Sequence, residues 1–205
     1  ILIGPGLPRL EGQEEGDNNT KTLTETLLKK YPQKKWVIDG GSLQTIDPTF
    51  IPQNAILTPH IREFEIIFES RIANRESHVV GEMAKKYNCT ILLKGGDDIV
   101  CGMDESTRPP TLALRPSDRR SQPPARRSRR VKGGNAGMTK GGTGDVLAGL
   151  VAALYCKNND PFLVAQAASY INKKAGESLF KKVGYYFNAS DLADETPVVM
   201  KKLII

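Results

Sequence analysis

The stretch Gly133-Gly134-Asn135-Ala136-Gly137-Met138-Thr139-Lys140-Gly141-Gly142-Thr143-Gly144-Asp145 runs at once into the apolar segment 146–155 and decides how this chain is read. Six of the 12 residues from 133 to 144 are glycine. Glycine lets peptide N–H groups turn toward a ligand and lets the backbone approach it closely. The apolar segment has the composition of a buried helix. A helix start adds N–H groups without partners and a dipole that favours anions. The tract therefore predicts a cradle for a phosphate or a developing oxyanion. Asp145 stands at its end. An isolated Gly-Asp pair reads as a helix cap, which Asp forms well. The preceding glycines shift the reading toward a general base that takes a proton from a hydroxyl attacking a phosphoryl group. The residue order is not that of a Walker A loop.

Upstream, short apolar runs alternate with helical stretches. Residues 1–3, 36–38, 55–57 and 90–93 are strand candidates, bounded by Gly, Pro or charged residues as buried parallel strands are. Residues 21–30, 62–68 and 77–87 are helical candidates between them. After the cradle, residues 144–155 and 162–182 read as helices. In the second, Phe162, Ala165, Ala168, Ile171, Ala175 and Leu179 give a small, apolar face, and Asp160-Pro161 supplies the cap and first turn. The alternation predicts an α/β fold: a doubly wound, mostly parallel sheet with helices on both faces, in one domain spanning 1–205. The opening Ile1-Leu2-Ile3-Gly4 reads as a strand under way, so strands are expected upstream of it.

Apolar residues make up 39% of the chain, and no run approaches the roughly 20 needed to cross a bilayer. Cys89, Cys101 and Cys156 form no CxxC or metal-ligand spacing, which favours a reducing, cytoplasmic compartment. The net charge of +6 is local. Residues 108–132 hold nine basic side chains and one acid, leaving 20 basic and 22 acidic elsewhere. No aromatic residue interleaves with those arginines, which argues against nucleic-acid binding. Residues 104–132, rich in Arg, Pro and Ser, are expected to be a disordered insertion, since they cannot bury enough apolar area to offset ordering entropy.

Four more stretches lie at the ends of the predicted strands, where doubly wound sheets build their ligand crevice. They are Gly4-Pro5-Gly6-Leu7, Asp39-Gly40-Gly41, Leu57-Thr58-Pro59-His60 with Glu63-Phe64, and Lys94-Gly95-Gly96-Asp97-Asp98. Each taken alone is a turn or a surface histidine. Together with the glycine tract they form one pattern: GPGL at residues 4–7, VIDGGSLQ at 37–44, LTPH..EF at 57–64, LLKGG at 92–96, GGNAGMTKGGTGDVLAG at 133–149 and NASDL at 188–192.

In that order these motifs resemble the ribokinase-like dehydratases that repair hydrated NADH and NADPH, found alone or fused to an epimerase. The resemblance covers nearly the whole chain outside residues 104–132. It implies ADP or ATP as co-substrate, Mg²⁺, an NAD(P)H-hydrate substrate, an epimerase as pathway partner and homo-oligomers. It implies substrate contacts at Gly6, His60 and Asp145. It puts the nucleotide along Lys94, Gly95, Gly96, Asp97 and Asp98 and at Gly144, and the catalytic cradle at Gly142, Thr143, Gly144 and Asp145. Three features depart from the family pattern: the family's opening strands, with a glycine- and serine-bearing loop, are expected to precede Ile1, Pro8 stands where a further glycine is usual, and residues 104–132 replace a short strand pair. A ribokinase-like kinase of a small alcohol or vitamin precursor shares the GTGD cradle, and GNAGM and TPH..EF favour the dehydratase over it. A non-catalytic fragment of such an enzyme is the other alternative.

Overall fold

The computed structural model describes residues 1–9, 19–72, 77–103 and 126–204. Among these residues six strands form one sheet in the order of the sequence: β1 (Leu2–Ile3), β2 (Val37–Ile38), β3 (Ile56–Leu57), β4 (Thr90–Leu93), β5 (Asp98–Met103) and β6 (Arg126–Val131). β1 to β4 run parallel, while β5 and β6 are antiparallel to their neighbours. Seven α-helices among the described residues surround the sheet: α1 (Asn19–Lys30), α2 (Gly40–Thr45), α3 (Ile61–Phe68), α4 (Ser77–Lys86), α5 (Thr143–Lys157), α6 (Pro161–Val183) and α7 (Ala189–Ile204).

The side-chain period of two in a strand divides the core. Ile38, Leu57, Ile91 and Leu93 face one way and pack with Leu28, Leu43, Phe64, Val80 and Ala84 from α1 to α4. Val37, Ile56, Leu92 and Val100 face the other way, against Leu147, Val151, Phe162, Ala165 and Ala168 from α5 and α6. The parallel strands are apolar on both sides because helices cover both faces. A third cluster, with Ala175, Leu179, Phe187, Leu192 and Val199, seats α7 on α6.

The predicted strands and helices agree with the structure to within two residues at each end. At the start of α6 the Asp160 carboxylate accepts from the N–H groups of Phe162 and Leu163 at 2.9 and 3.1 Å, with Pro161 in the first turn. The expectation of disorder over 104–132 is corrected at its far end. Arg126–Val131 is a strand, paired with β5 from Asp98↔Val131 to Met103↔Arg126, and Lys132 follows it. Residues 104–125 lie outside the described residues. Strand pairing is made by peptide groups, and charged residues suit a sheet edge. Arg127 also gains packing: its guanidinium lies 4.4 Å from the Phe162 ring centroid and its Nη1 donates to Asp160 Oδ2 at 2.7 Å. The arginine therefore pins β6 to the helix cap.

Candidate active site

The carboxyl ends of β1 to β4 and the amino end of α5 open on one cavity of about 700 Å³. Its walls include Arg9, Asp39, Gly40, His60, Glu63, Lys94, Gly95, Gly96 and Asp98 from the strand ends. Residues 133–136 and 138–145 and α6 residues Asn172 and Lys173 complete them.

The glycine tract lines one wall of this cavity. Gly142 caps α5 at φ 84°, in the left-handed region that a side chain disfavours, which turns the chain sharply into the helix. Gly144 and Asp145 follow in the first turn, where N–H groups lack an intrahelical carbonyl, whereas the Thr143 N–H donates to the Lys140 carbonyl at 3.3 Å. The buried Thr143 hydroxyl lies 2.7 Å from the carbonyls of Met138 and Lys140, so it ties the tract together. Lys140 holds the outer side: its Nζ donates to the Phe187 carbonyl at 2.6 Å and also to that of Tyr185. Asp145 lines the cavity and is exposed.

At the other wall, His60 caps α3. Its Nδ1 accepts from Glu63 N–H at 3.2 Å, and its own backbone N–H donates to Glu63 Oε2 at 2.9 Å. With Nδ1 accepting, the neutral ring carries its proton on Nε2. Burial holds the imidazole pKa below its ordinary 6.5, and Lys94 and Arg9 act in the same direction, against the Glu63 and Asp39 carboxylates. Lys94 closes the corner between the walls. Its Nζ donates to the buried Asp39 carboxylate at 2.7 Å and lies 3.8 Å from Glu63 Oε2.

The Gly95–Asp98 turn is locked from behind. Asp98 Oδ1 accepts from Gly95 N–H at 2.8 Å and Oδ2 from the Ser169 hydroxyl at 2.7 Å. Lys173 Nζ donates to the carbonyls of Gly95, Gly96 and Gly133 at 3.2, 2.8 and 3.2 Å, and lies 3.4 Å from Asp98.

Of the residues singled out from the sequence, His60, Lys94, Gly95, Gly96, Asp98, Gly142, Thr143, Gly144 and Asp145 come together on the cavity. Two do not. Gly6 sits on an exposed turn outside the wall, where Arg9 reaches in instead. Asp97 points away, 3.7 Å from Arg130 on β6. Gly4 is the demanding glycine of that first turn: at φ 114°, an added Cβ would lie 1.7 Å from the Asp39 carbonyl oxygen. The sequence reading missed Asn172 and Lys173. Their signal was two polar residues on the small, apolar face of α6, where both are buried. Asn172 Oδ1 has no hydrogen-bond partner among the described residues.

The family model described as NAD(P)H-hydrate dehydratase matches residues 1–108 and 123–198. The chain belongs to this family. Among NAD(P)H-hydrate dehydratase relatives, the bifunctional NAD(P)H-hydrate repair enzyme of Methanocaldococcus jannaschii is 37% identical over 205 residues, covering 98% of this chain and 33% of the relative. The ADP-dependent (S)-NAD(P)H-hydrate dehydratase of Nitrosopumilus maritimus is 37% identical over 157 residues, covering 75% of this chain and 47% of the relative. The chain thus spans a third of the first and about half of the second. The fold is that of the ADP/ATP-dependent NAD(P)H-hydrate dehydratase of Bacillus subtilis, co-crystallized with ATP/Mg²⁺: TM-score 0.72 at 23% identity, over 98% of this chain and 64% of that one. A ribokinase-like superfamily protein of Enterococcus faecalis aligns with TM-score 0.66 at 22% identity, over 98% and 62% of the two chains.

Proposed function

We propose that this chain catalyses the ADP- or ATP-dependent dehydration of (6S)-NAD(P)H-hydrate to NAD(P)H, releasing AMP or ADP and phosphate. One observation carries the reading: the α5 start with Asp145, the β3-end His60 and the β4-end turn share a single cavity. The names of the archaeal relatives support the hydrate as substrate and ADP as donor.

The C6 hydroxyl of the hydrated ring attacks the terminal phosphorus of the nucleotide. The new O–P bond forms as the bond to the departing AMP or ADP breaks, and the hydroxyl proton passes to Asp145. The C6–O bond then breaks, phosphate leaves, and the neighbouring ring carbon gives up a proton as the double bond re-forms. A positioned base contributes about 10²- to 10⁴-fold, and a preorganised set of amides such as those of residues 142–145 about 10²- to 10³-fold. Neutral His60, with its proton on Nε2, offers a donor to the substrate.

Among the described residues no group of three or more His, Cys, Asp or Glu side chains gathers to hold a metal. Mg²⁺ commonly takes one or two carboxylates beside substrate phosphates and keeps several waters. The donors present fit an ion held chiefly by the nucleotide, with Asp145 the exposed cavity carboxylate at the cradle. Bound there, it would neutralise phosphate oxygens. The family likeness also supports an epimerase as pathway partner and a self-associating protein. The free thiols of Cys89, Cys101 and Cys156 support a reducing, cytoplasmic setting. No helix among the described residues is long and apolar enough to cross a membrane.

The test is to incubate the protein with ADP or ATP and (6S)-NADH-hydrate. Regained dihydronicotinamide absorbance, with equal AMP (or ADP) and phosphate, is expected. A phosphorylated alcohol without regained NADH would make the protein a kinase instead. Nucleotide binding without any turnover would make it a non-catalytic relative.

A further inference from the structure

We propose that the outer edge of β6, with the groove between it and α6, takes an acidic, extended segment of a partner protein by strand addition. This interaction stands apart from the chemistry of the cavity and does not draw on the dehydratase reading.

Three observations converge on this edge. The first is the ladder. β6 pairs with β5 along its whole length and ends the described sheet. In an antiparallel pair every second residue turns its N–H and C=O away from the neighbouring strand. Those outward groups are a template for one more strand. The second is the groove. It has a volume of about 470 Å³ and is lined by the apolar Val131, Leu163, Ala167 and Tyr170 and by the cationic Arg129 and Lys132. Leu163, Ala167 and Tyr170 follow one another at spacings of four and three, so they share a face of α6. Leu163 and Tyr170 are 45% and 42% exposed. An extended segment beside β6 turns alternate side chains to one side, and here that side offers an apolar seat. The third is charge. Residues 126–132 hold five basic side chains and no acid. Arg127 and Arg130 pair with Asp160 and Asp97. Arg129 and Lys132 line the groove with no carboxylate partner among the described residues.

Charge also decides the occupant. A second copy joined edge to edge would set arginines against arginines, and like charges directly opposite destabilise a ladder. A nucleic acid answers the charge but has no peptide groups to continue the ladder. Basic residues alone keep stray strands off an edge. The exposed leucine and tyrosine beside them add a seat that such protection does not require. An acidic segment with an apolar residue at every second position answers all three observations. The edge is preorganised, because Arg127 fastens β6 to Phe162 and to the α6 cap, and preorganisation lowers the ordering cost of docking.

The probe is a terminally blocked peptide of alternating Glu and Val, followed by isothermal titration and by hydrogen exchange. Saturable binding is expected, with slowed exchange at alternate amides of residues 126–131. Methylating each peptide nitrogen of the probe removes its ladder donors and keeps its charge, and should weaken binding by about tenfold or more. Arg129→Glu and, separately, Leu163→Glu should weaken it by a similar factor. Both residues are exposed, so thermal unfolding of the two variants should match the wild type. No saturation, equal affinity of the methylated peptide, or equal protection of these amides by polyuridylate overturns the proposal. Protection of the same amides by self-association of the protein alone gives the edge to a second copy and overturns it as well.

Discussion

His60 and Glu63 cap each other across the first turn of α3: the Glu63 N–H donates to the imidazole, and the His60 N–H donates to the carboxylate. A histidine on the cavity wall is thus also a structural cap. His60→Ala should cost about 1 kcal/mol of stability, as loss of an N-cap does, and should raise the Michaelis constant for the hydrate. His60→Asn should restore most of the stability, since Asn caps well, but not the substrate affinity. Urea denaturation and steady-state kinetics on the two variants separate the roles.

The same imidazole gives a pH dependence. Its folded pKa lies below 6.5, chiefly through burial, so between the folded value and 6.5 the unfolded chain binds more protons. Its contribution to stability is complete above pH 6.5 and is lost as pH falls through the folded value. An NMR titration should place the His60 midpoint below 6.5. A His60 midpoint at or above 6.5 would contradict it.

Asp145→Asn keeps the size of the side chain and removes the carboxylate proposed as the base. Turnover should fall about 10²- to 10⁴-fold, with ADP still bound. Rapid-quench detection of AMP formation checks this, and full turnover by the variant would assign the base elsewhere.

Lys173 and Lys174 are sequence neighbours with opposite expectations. The Lys173 side chain is 7% exposed and ties three carbonyls beside Asp98; that of Lys174 is 39% exposed and pairs with Glu177 at 2.7 Å. Lys173→Met should cost about 3–5 kcal/mol, because it leaves a buried carboxylate unpaired, and should weaken nucleotide binding. Lys174→Met should cost at most about 1 kcal/mol. Parallel denaturation curves compare them.

Burial pushes the Cys89 thiol up to about 12, whereas Cys156 is exposed on α5. Iodoacetamide should label Cys156 in the native protein and reach Cys89 only on unfolding. Peptide mass mapping reads the outcome.

The parallel strands were legible because both of their faces are apolar, so runs such as Thr90–Leu93 stand out without any alternation. α2 was not, because Gly40-Gly41 reads as a turn until its close approach to residues 4–8, the turn after β1, is known. α7 was hidden by Asp194, Glu195 and Pro197, residues that weaken a helical pattern though Glu195 is buried and accepts from Ser178 and Lys182. The cradle and His60 were readable because each lies within one continuous motif. The Lys173 clamp and the Lys94–Asp39 pair join residues 40 to 78 positions apart, and no local spacing announces such contacts.

The β6 pairing has a consequence for how this part of the molecule tolerates change. A ladder that reads peptide groups is nearly blind to side-chain identity on its outer rim, so four arginines occupy a rung sequence where apolar residues would be expected. Substitutions there should accumulate cheaply, provided Arg127 keeps its seat on Phe162. The invariant burden shifts to the two points where the hairpin is fastened, the α6 cap on one side and the glycine tract on the other.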